Sequence, residues 1–255
     1  MNSDLPSTPL LRVQGLNYRY PSGLEALREV TFTMGKGERV GLVGPSGAGK
    51  STLLLHLNGL LPERLPRLRD ASVYLNDEPV TAATVDSIRR LVGLLFQNPE
   101  DQLFCPTVEE DVAFGPEQLG LSALQIQERV DRALETANVT ALRSRPVSQL
   151  SYGQKKRACL AGLFACEPLM LALDEPFTGL DPRSRNQLVD LLLRENRTLL
   201  VATHDLDIVV RMCDRVLLID NGKLVADGAT AELLGNTELM DQHGLEVPLQ
   251  LKLQD

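Results

Sequence analysis

Lys50 and Ser51 are the side chains whose setting first points to chemistry. They lie near the end of the run Val40-Gly41-Leu42-Val43-Gly44-Pro45-Ser46-Gly47-Ala48-Gly49-Lys50-Ser51-Thr52. An apolar, β-favouring stretch enters a glycine-rich turn there, and an apolar helical stretch, Thr52 to Leu61, leaves it. A strand, a G-x-x-x-x-G-K-[ST] turn and a helix in that order make a phosphate-binding loop. Such a turn lets successive backbone N–H groups point into an anion-binding concavity. The helix start adds unsatisfied N–H groups and partial positive charge. Gly44, Pro45, Ser46, Gly47, Ala48, Gly49 and Thr52 are thus expected to shape a nucleotide cradle, with Lys50 on the β- and γ-phosphates and the Ser51 hydroxyl on Mg²⁺. The plainer alternative is a glycine turn beside a surface lysine; it gives no reason for the strand before and the helix after.

A second constellation is Leu169-Met170-Leu171-Ala172-Leu173-Asp174-Glu175-Pro176, apolar until it ends in two acids. A buried strand of this kind delivers both carboxylates to the C-terminal edge of a sheet, where the phosphate loop is also expected. Asp174 suits Mg²⁺ through its water shell, and Glu175 is placed to polarise an attacking water as general base. The other reading is that the two acids cap a helix starting at Pro182.

The surrounding pattern supplies elements to position these groups. Leu10–Tyr20 and Glu29–Met34 alternate like strands around a Pro21-Ser22-Gly23 turn. Ser72–Leu75 and the apolar run Leu91–Phe96, within the stretch from Ile88, are read as further strands. Helical patterns cover Val108–Phe114, Ala123–Asn138 and Gln154–Ala165, then Pro182–Glu195 between strands Leu169–Leu173 and Thr198–Ala202. Strand Arg215–Asp220, helix Ala229–Leu234 and a period-two stretch (Val247, Leu249, Leu251, Leu253) complete the chain. The expectation is an α/β fold: a mostly parallel sheet, an N-terminal antiparallel β subdomain and an inserted helical subdomain.

Composition narrows the function. The 255 residues carry a net charge of −8, so no global basic field exists to hold DNA or RNA. Apolar runs stay short of the roughly 18 residues needed to cross a bilayer, and Met1–Pro9 does not read as a signal peptide. Cys105, Cys159, Cys166 and Cys213 form no C-x-x-C pair, which speaks against zinc or a disulfide framework.

Leu150-Ser151-Tyr152-Gly153-Gln154, opening a helix, adds a third element. It resembles the LSGGQ signature of ABC-type ATPases, and the apolar strand ending in Asp174-Glu175 resembles their Walker B. The resemblance implies that Ser151, Gly153 and Gln154 meet the γ-phosphate held by a second subunit; Ser151 also reads as an N-cap. The sequence departs at Tyr152, where the commonest pattern has glycine, so that side chain is expected to point away from nucleotide. By the same resemblance Gln97 is the Q-loop glutamine near Mg²⁺ or water and His204 the switch histidine on the γ-phosphate. Gly179-Leu180-Asp181 resembles the D-loop, although Asp181 also suits a cap for Pro182. Tyr20 is similar to the aromatic that stacks on adenine, with Tyr18 as competitor.

Gln97-Asn98-Pro99-Glu100-Asp101-Gln102-Leu103-Phe104 and Thr107 to Pro116 resemble the ATPases of energy-coupling factor importers, which include cobalt and nickel importers. The implied divisions are residues 1–98 and 165–235 for the ATPase core, 99–164 for the helical signature subdomain and 236–255 for a tail. The implied partners are a second ATPase (a copy or a paralogue), a transmembrane coupling subunit and a substrate-capturing membrane subunit, at the cytoplasmic face of the membrane. Nucleic acid is not expected. Leu103, Phe104 and Cys105 are either an exposed docking cluster or packing beneath the helical subdomain. The rival function is an ABC-type ATPase acting on nucleic acid or ribosomes, which the acidic charge disfavours. A GTPase would need an Asn-Lys-x-Asp motif that this chain lacks.

Overall fold

The computed structural model describes residues 8–252. They divide into two compact units, one formed by residues 90–196 and the other by the stretches that flank it. In chain order the first elements are β1 (Leu11–Arg19), β2 (Glu25–Met34), β3 (Arg39–Val43), α1 (Lys50–Leu57), β4 (Val73–Leu75), β5 (Glu78–Pro79) and α2 (Val85–Leu91). Next come β6 (Val92–Leu95), α3 (Val108–Gln118), α4 (Ala123–Thr136), α5 (Tyr152–Ala165), β7 (Met170–Asp174) and α6 (Pro182–Arg194). The chain ends through β8 (Thr198–Ala202), α7 (Leu206–Met212), β9 (Arg215–Asp220), β10 (Lys223–Ala229), α8 (Thr230–Gly235), α9 (Thr237–Gln242) and α10 (Leu249–Lys252).

In the flanking unit, an antiparallel sheet runs in the order β2-β1-β4-β5. Separately, β3 lies parallel to β8 on one side and β9 on the other, and β10 returns antiparallel along β9. Val40 to Val43 are buried throughout, as expected of a parallel strand covered on both faces. In the 90–196 unit, β6 and β7 pair in parallel with Leu95 opposite Leu173. Helices α4 and α5 each start with a capping box, Ser122 with Gln125 and Ser151 with Gln154. Arg143 ties α3 to α4, donating to Glu109 at 2.6 Å and also to Asp131.

Four differences from the sequence reading have local causes. Helix α2, ahead of the strand expected over Leu91–Phe96, is not among the expected elements: Ile88 is buried in it while Arg89 beside it donates to the Asn58 and Gly59 carbonyls. The strand starts only at Val92. The Asn58-Gly59 turn ends helix α1 at Leu57, two residues before the end expected near Gly59 and short of the apolar stretch to Leu61. Residues Val247 to Leu251 do not form a strand; the Pro248 carbonyl accepts from Leu251 and Lys252 N–H to start α10. Leu253 lies outside the described residues, as does most of Met1–Pro9. The cluster at 103–105 splits: Leu103 is buried, whereas Phe104 is 66% exposed and packs edge-on against Phe114 at 4.8 Å.

Candidate functional site

The phosphate loop is built where β3 ends. Gly44 passes so close to the neighbouring strand β9 that a Cβ there would lie 1.9 Å from the Ile219 carbonyl oxygen, so no other residue fits. The loop returns through Ala48 N–H to the Pro45 carbonyl, and Gly222 N–H donates to Ala48 from outside it. Lys50 reaches back across the turn, its Nζ donating to the Gly44 and Pro45 carbonyls at 2.8 and 3.0 Å. Ser51 stands exposed at the second position of α1, and Thr52 is buried behind it.

Tyr20 belongs to the same neighbourhood. Its hydroxyl and that of Thr52 are hydrogen-bonded at 2.9 Å. A cavity of about 340 Å³ is lined by Tyr20, Gly47, Lys50, Ser51 and Thr52, with the turn Asn221-Gly222 as a further wall. Tyr18, the competitor, is instead buried, with its ring 4.8 Å edge-on from Tyr20 and 4.7 Å from His56. Burial is the main influence raising its pKa, with the nearby Glu63 carboxylate adding to it. The Asn221-Gly222 wall escaped the sequence reading. Asn-Gly after an apolar strand is a hairpin signal, and both residues do take positive φ, at +47° and +76°.

His204 follows β8. Ala202 pairs with Leu42 of β3, and Thr203 N–H donates to the Leu42 carbonyl, so His204 emerges at the end of the strand pair that also feeds the phosphate loop. Asp205 then caps α7 through Ile208 N–H.

The 90–196 unit holds the remaining candidates. Asp174 ends β7 and Glu175 follows it, 9% and 8% exposed, with Glu175 in the left-handed region at φ +45°. Thr178 donates its hydroxyl to Glu175 Oε2 at 2.9 Å. Gln97 lies two residues beyond Leu95, the partner of Leu173, so Gln97 and Asp174 leave the same end of this strand pair. Ser151 Oγ accepts from Gln154 N–H while Gln154 Oε1 accepts from Ser151 N–H, so both side chains close the tip of α5. Gly153 packs toward Leu180 and Ser184. Asp181 caps α6, accepting from Arg183 and Ser184 N–H at 3.0 Å; its hydrogen bonds with Ser184 hold its carboxyl below the usual range. The Tyr152 hydroxyl donates to the Gln97 carbonyl.

The structure thus gathers Tyr20, residues 44–52 and the strand end at His204 in one unit. Gln97, Ser151, Gly153, Gln154, Asp174, Glu175 and Asp181 belong to the other. A basic, glycine-built concavity beside an aromatic suits a nucleotide triphosphate.

Comparison with known proteins agrees with that chemistry. Residues 27–178 match the family described as ABC transporter. The chain is an ABC transporter family member. It is 52% identical over 94% of its length to a putative ABC transporter ATP-binding protein of Gloeobacter violaceus, covering 98% of that protein. It is 41% identical to the energy-coupling factor transporter ATP-binding protein EcfA of Methanothermobacter thermautotrophicus, over 94% of this chain and 77% of that one. The solved structure of CbiO1 from Clostridium perfringens, part of the ABC transporter complex CbiONQ, superimposes with a TM-score of 0.79. That pair shares 34% identity over 96% of this chain and 98% of the other. The ABC chain is therefore an ATP-hydrolysing, ATP-binding subunit resembling EcfA and CbiO1, on the ABC ATPase fold with its N-terminal antiparallel sheet. Among the described residues, no helix is long and apolar enough to cross a membrane.

Proposed function

We propose that this ABC ATPase drives an energy-coupling factor type importer, for a metal ion such as cobalt or nickel or for a vitamin. Two copies, or one copy and a paralogue, close over ATP and act on a transmembrane coupling subunit beside a substrate-capturing membrane protein. The ATPase sits peripherally at the cytoplasmic face. The observation that carries this reading is the likeness to EcfA and to CbiO1, itself part of a multi-subunit complex, along nearly the whole chain.

In this reading Tyr20 stacks on adenine, and the N–H groups of Gly44 to Thr52, with the Lys50 ammonium, hold the phosphates. Ser151, Gly153 and Gln154, at an exposed capped helix tip, close on the γ-phosphate bound by the partner copy. Glu175 takes a proton from the attacking water, His204 donates to the γ-phosphate, and Gln97 orients the water. Asp181 faces the partner subunit. Ser51 brings a hydroxyl, Gln97 an amide oxygen and Asp174 a carboxylate, each a hard oxygen donor of the kind Mg²⁺ takes. Such an ion would neutralise charge on the β- and γ-phosphates.

Capture of the tagged chain from detergent-solubilised membranes, with mass spectrometry of what accompanies it, tests the assignment. Co-purification with a small set of integral membrane proteins is expected. Recovery with RNA, DNA or ribosomes instead would overturn it.

A further inference from the structure

Lys156, one helical turn beyond Tyr152, is 0% exposed. A buried ammonium is costly unless a partner meets it, and here the partner is specific. Its Nζ donates to the backbone carbonyl oxygen of Glu175 at 2.6 Å. The same ammonium lies 5.6 Å from the centroid of the Tyr152 ring, an i, i+4 neighbour on α5. Tyr152 reaches two further segments. Its hydroxyl donates to the Gln97 carbonyl at 3.2 Å. Its ring lies so close to Gly179 that a Cβ on that residue would come within 2.8 Å of Cε1. One face of α5 therefore contacts the segment leaving β6, the segment leaving β7 and the loop before α6, all within the 90–196 unit.

Glu175 is a residue whose backbone needs such support. Its φ of +45° lies where non-glycine residues rarely settle unless their surroundings hold them. Thr178 fixes the carboxylate at Oε2, and Thr178 N–H approaches the Glu175 carbonyl at 3.4 Å. The Lys156 ammonium is a shorter, charge-assisted bond to the same carbonyl.

We propose that Lys156 is a positioning residue for the ATPase reaction: it fixes the backbone of Glu175, and Tyr152 links that anchor to Gln97. The role rests on the reading of Glu175 as general base. Lys156 itself acts through Glu175 and is not assigned to the nucleotide.

The test is steady-state ATP hydrolysis by the full chain carrying Lys156→Met, Lys156→Arg, Tyr152→Phe, Glu175→Gln, or Lys156→Met together with Glu175→Gln. A misplaced reacting group costs up to about 100-fold, so Lys156→Met is expected to lower kcat at least about tenfold while KM for ATP stays within about twofold. Lys156→Arg is expected to restore most of the loss, and Tyr152→Phe to lower kcat about threefold, as for one neutral hydrogen bond. Added to Glu175→Gln, Lys156→Met should cost nothing more, because both act at one point. Should Lys156→Met not fold, Lys156→Gln is judged by the same criteria. Unchanged kcat, a KM that rises in step with the loss, or an additive double variant overturns the proposal. Unchanged kcat in Tyr152→Phe removes the link to Gln97. Full hydrolysis by Glu175→Gln would instead reject the general-base reading, a result separate from any change in Lys156→Met alone.

Discussion

Glu175 sits at the end of a strand that is buried from Met170 onward, with its carboxylate held by Thr178. If it is the general base, Glu175→Gln should lower hydrolysis by about 100-fold or more, with ATP binding retained. Isothermal titration beside a phosphate-release assay measures both. Lys50→Ala should do the reverse, weakening ATP affinity itself, because it removes the one cation of the glycine loop. Lys156 gives a pH signature of stability. Burial pushes its pKa down to about 8, against partial opposition from Cys159, Glu175 and Asp174. Between about 8 and the ordinary value of 10.5 the unfolded chain therefore keeps a proton that the folded chain has released. Stability must then rise with pH across that window. Urea unfolding of wild type minus Lys156→Met should show this rise, and a flat or falling difference would contradict it.

At the scale of elements, the two capping boxes form a matched pair. Ser122→Ala and Ser151→Ala each remove a cap worth about 1 kcal/mol. Both should lower thermal stability alike, but Ser151→Ala alone should reduce ATP turnover, because only α5 is assigned to nucleotide. Equal turnover in the two variants would leave Ser151 a cap and nothing more. Much of this level was legible in the sequence, since buried parallel strands such as Val40–Val43 and Thr198–Ala202 are near-continuous apolar runs. Motifs supplied the site candidates from the same kind of signal: glycine spacing, a strand ending in acids and a serine-led helix are local patterns. What stayed hidden depended on tertiary partners. Helix α2 buries Ile88 alone and is held through Arg89 to the Asn58 and Gly59 carbonyls, partners remote in sequence. The second strand of the Asn221-Gly222 hairpin was hidden because Lys223–Ala229 alternates only between half-buried and exposed positions. Tyr152 and Lys156 were visible as letters of the signature stretch, but their partners at Gln97, Glu175 and Gly179 are remote in sequence.

At the scale of the whole molecule, a net charge of −8 and the likeness to EcfA and CbiO1 favour a membrane-protein partner over nucleic acid. Phe104, exposed and paired with Phe114, offers such a partner an apolar contact. Phe104→Asp should reduce co-purification with membrane proteins while leaving hydrolysis by the isolated chain unchanged. Closure of two ATPase subunits over shared nucleotide is the step on which transport depends in this reading, since it converts ATP binding into a rigid-body movement. Light scattering of the Glu175→Gln variant with ATP and Mg²⁺ measures that closure directly. A shift from the mass of one chain to that of two, reversed when ATP is replaced by ADP, is the expected result. A single-chain mass at saturating ATP, persisting when the membrane partners and any paired ATPase are supplied, would contradict it.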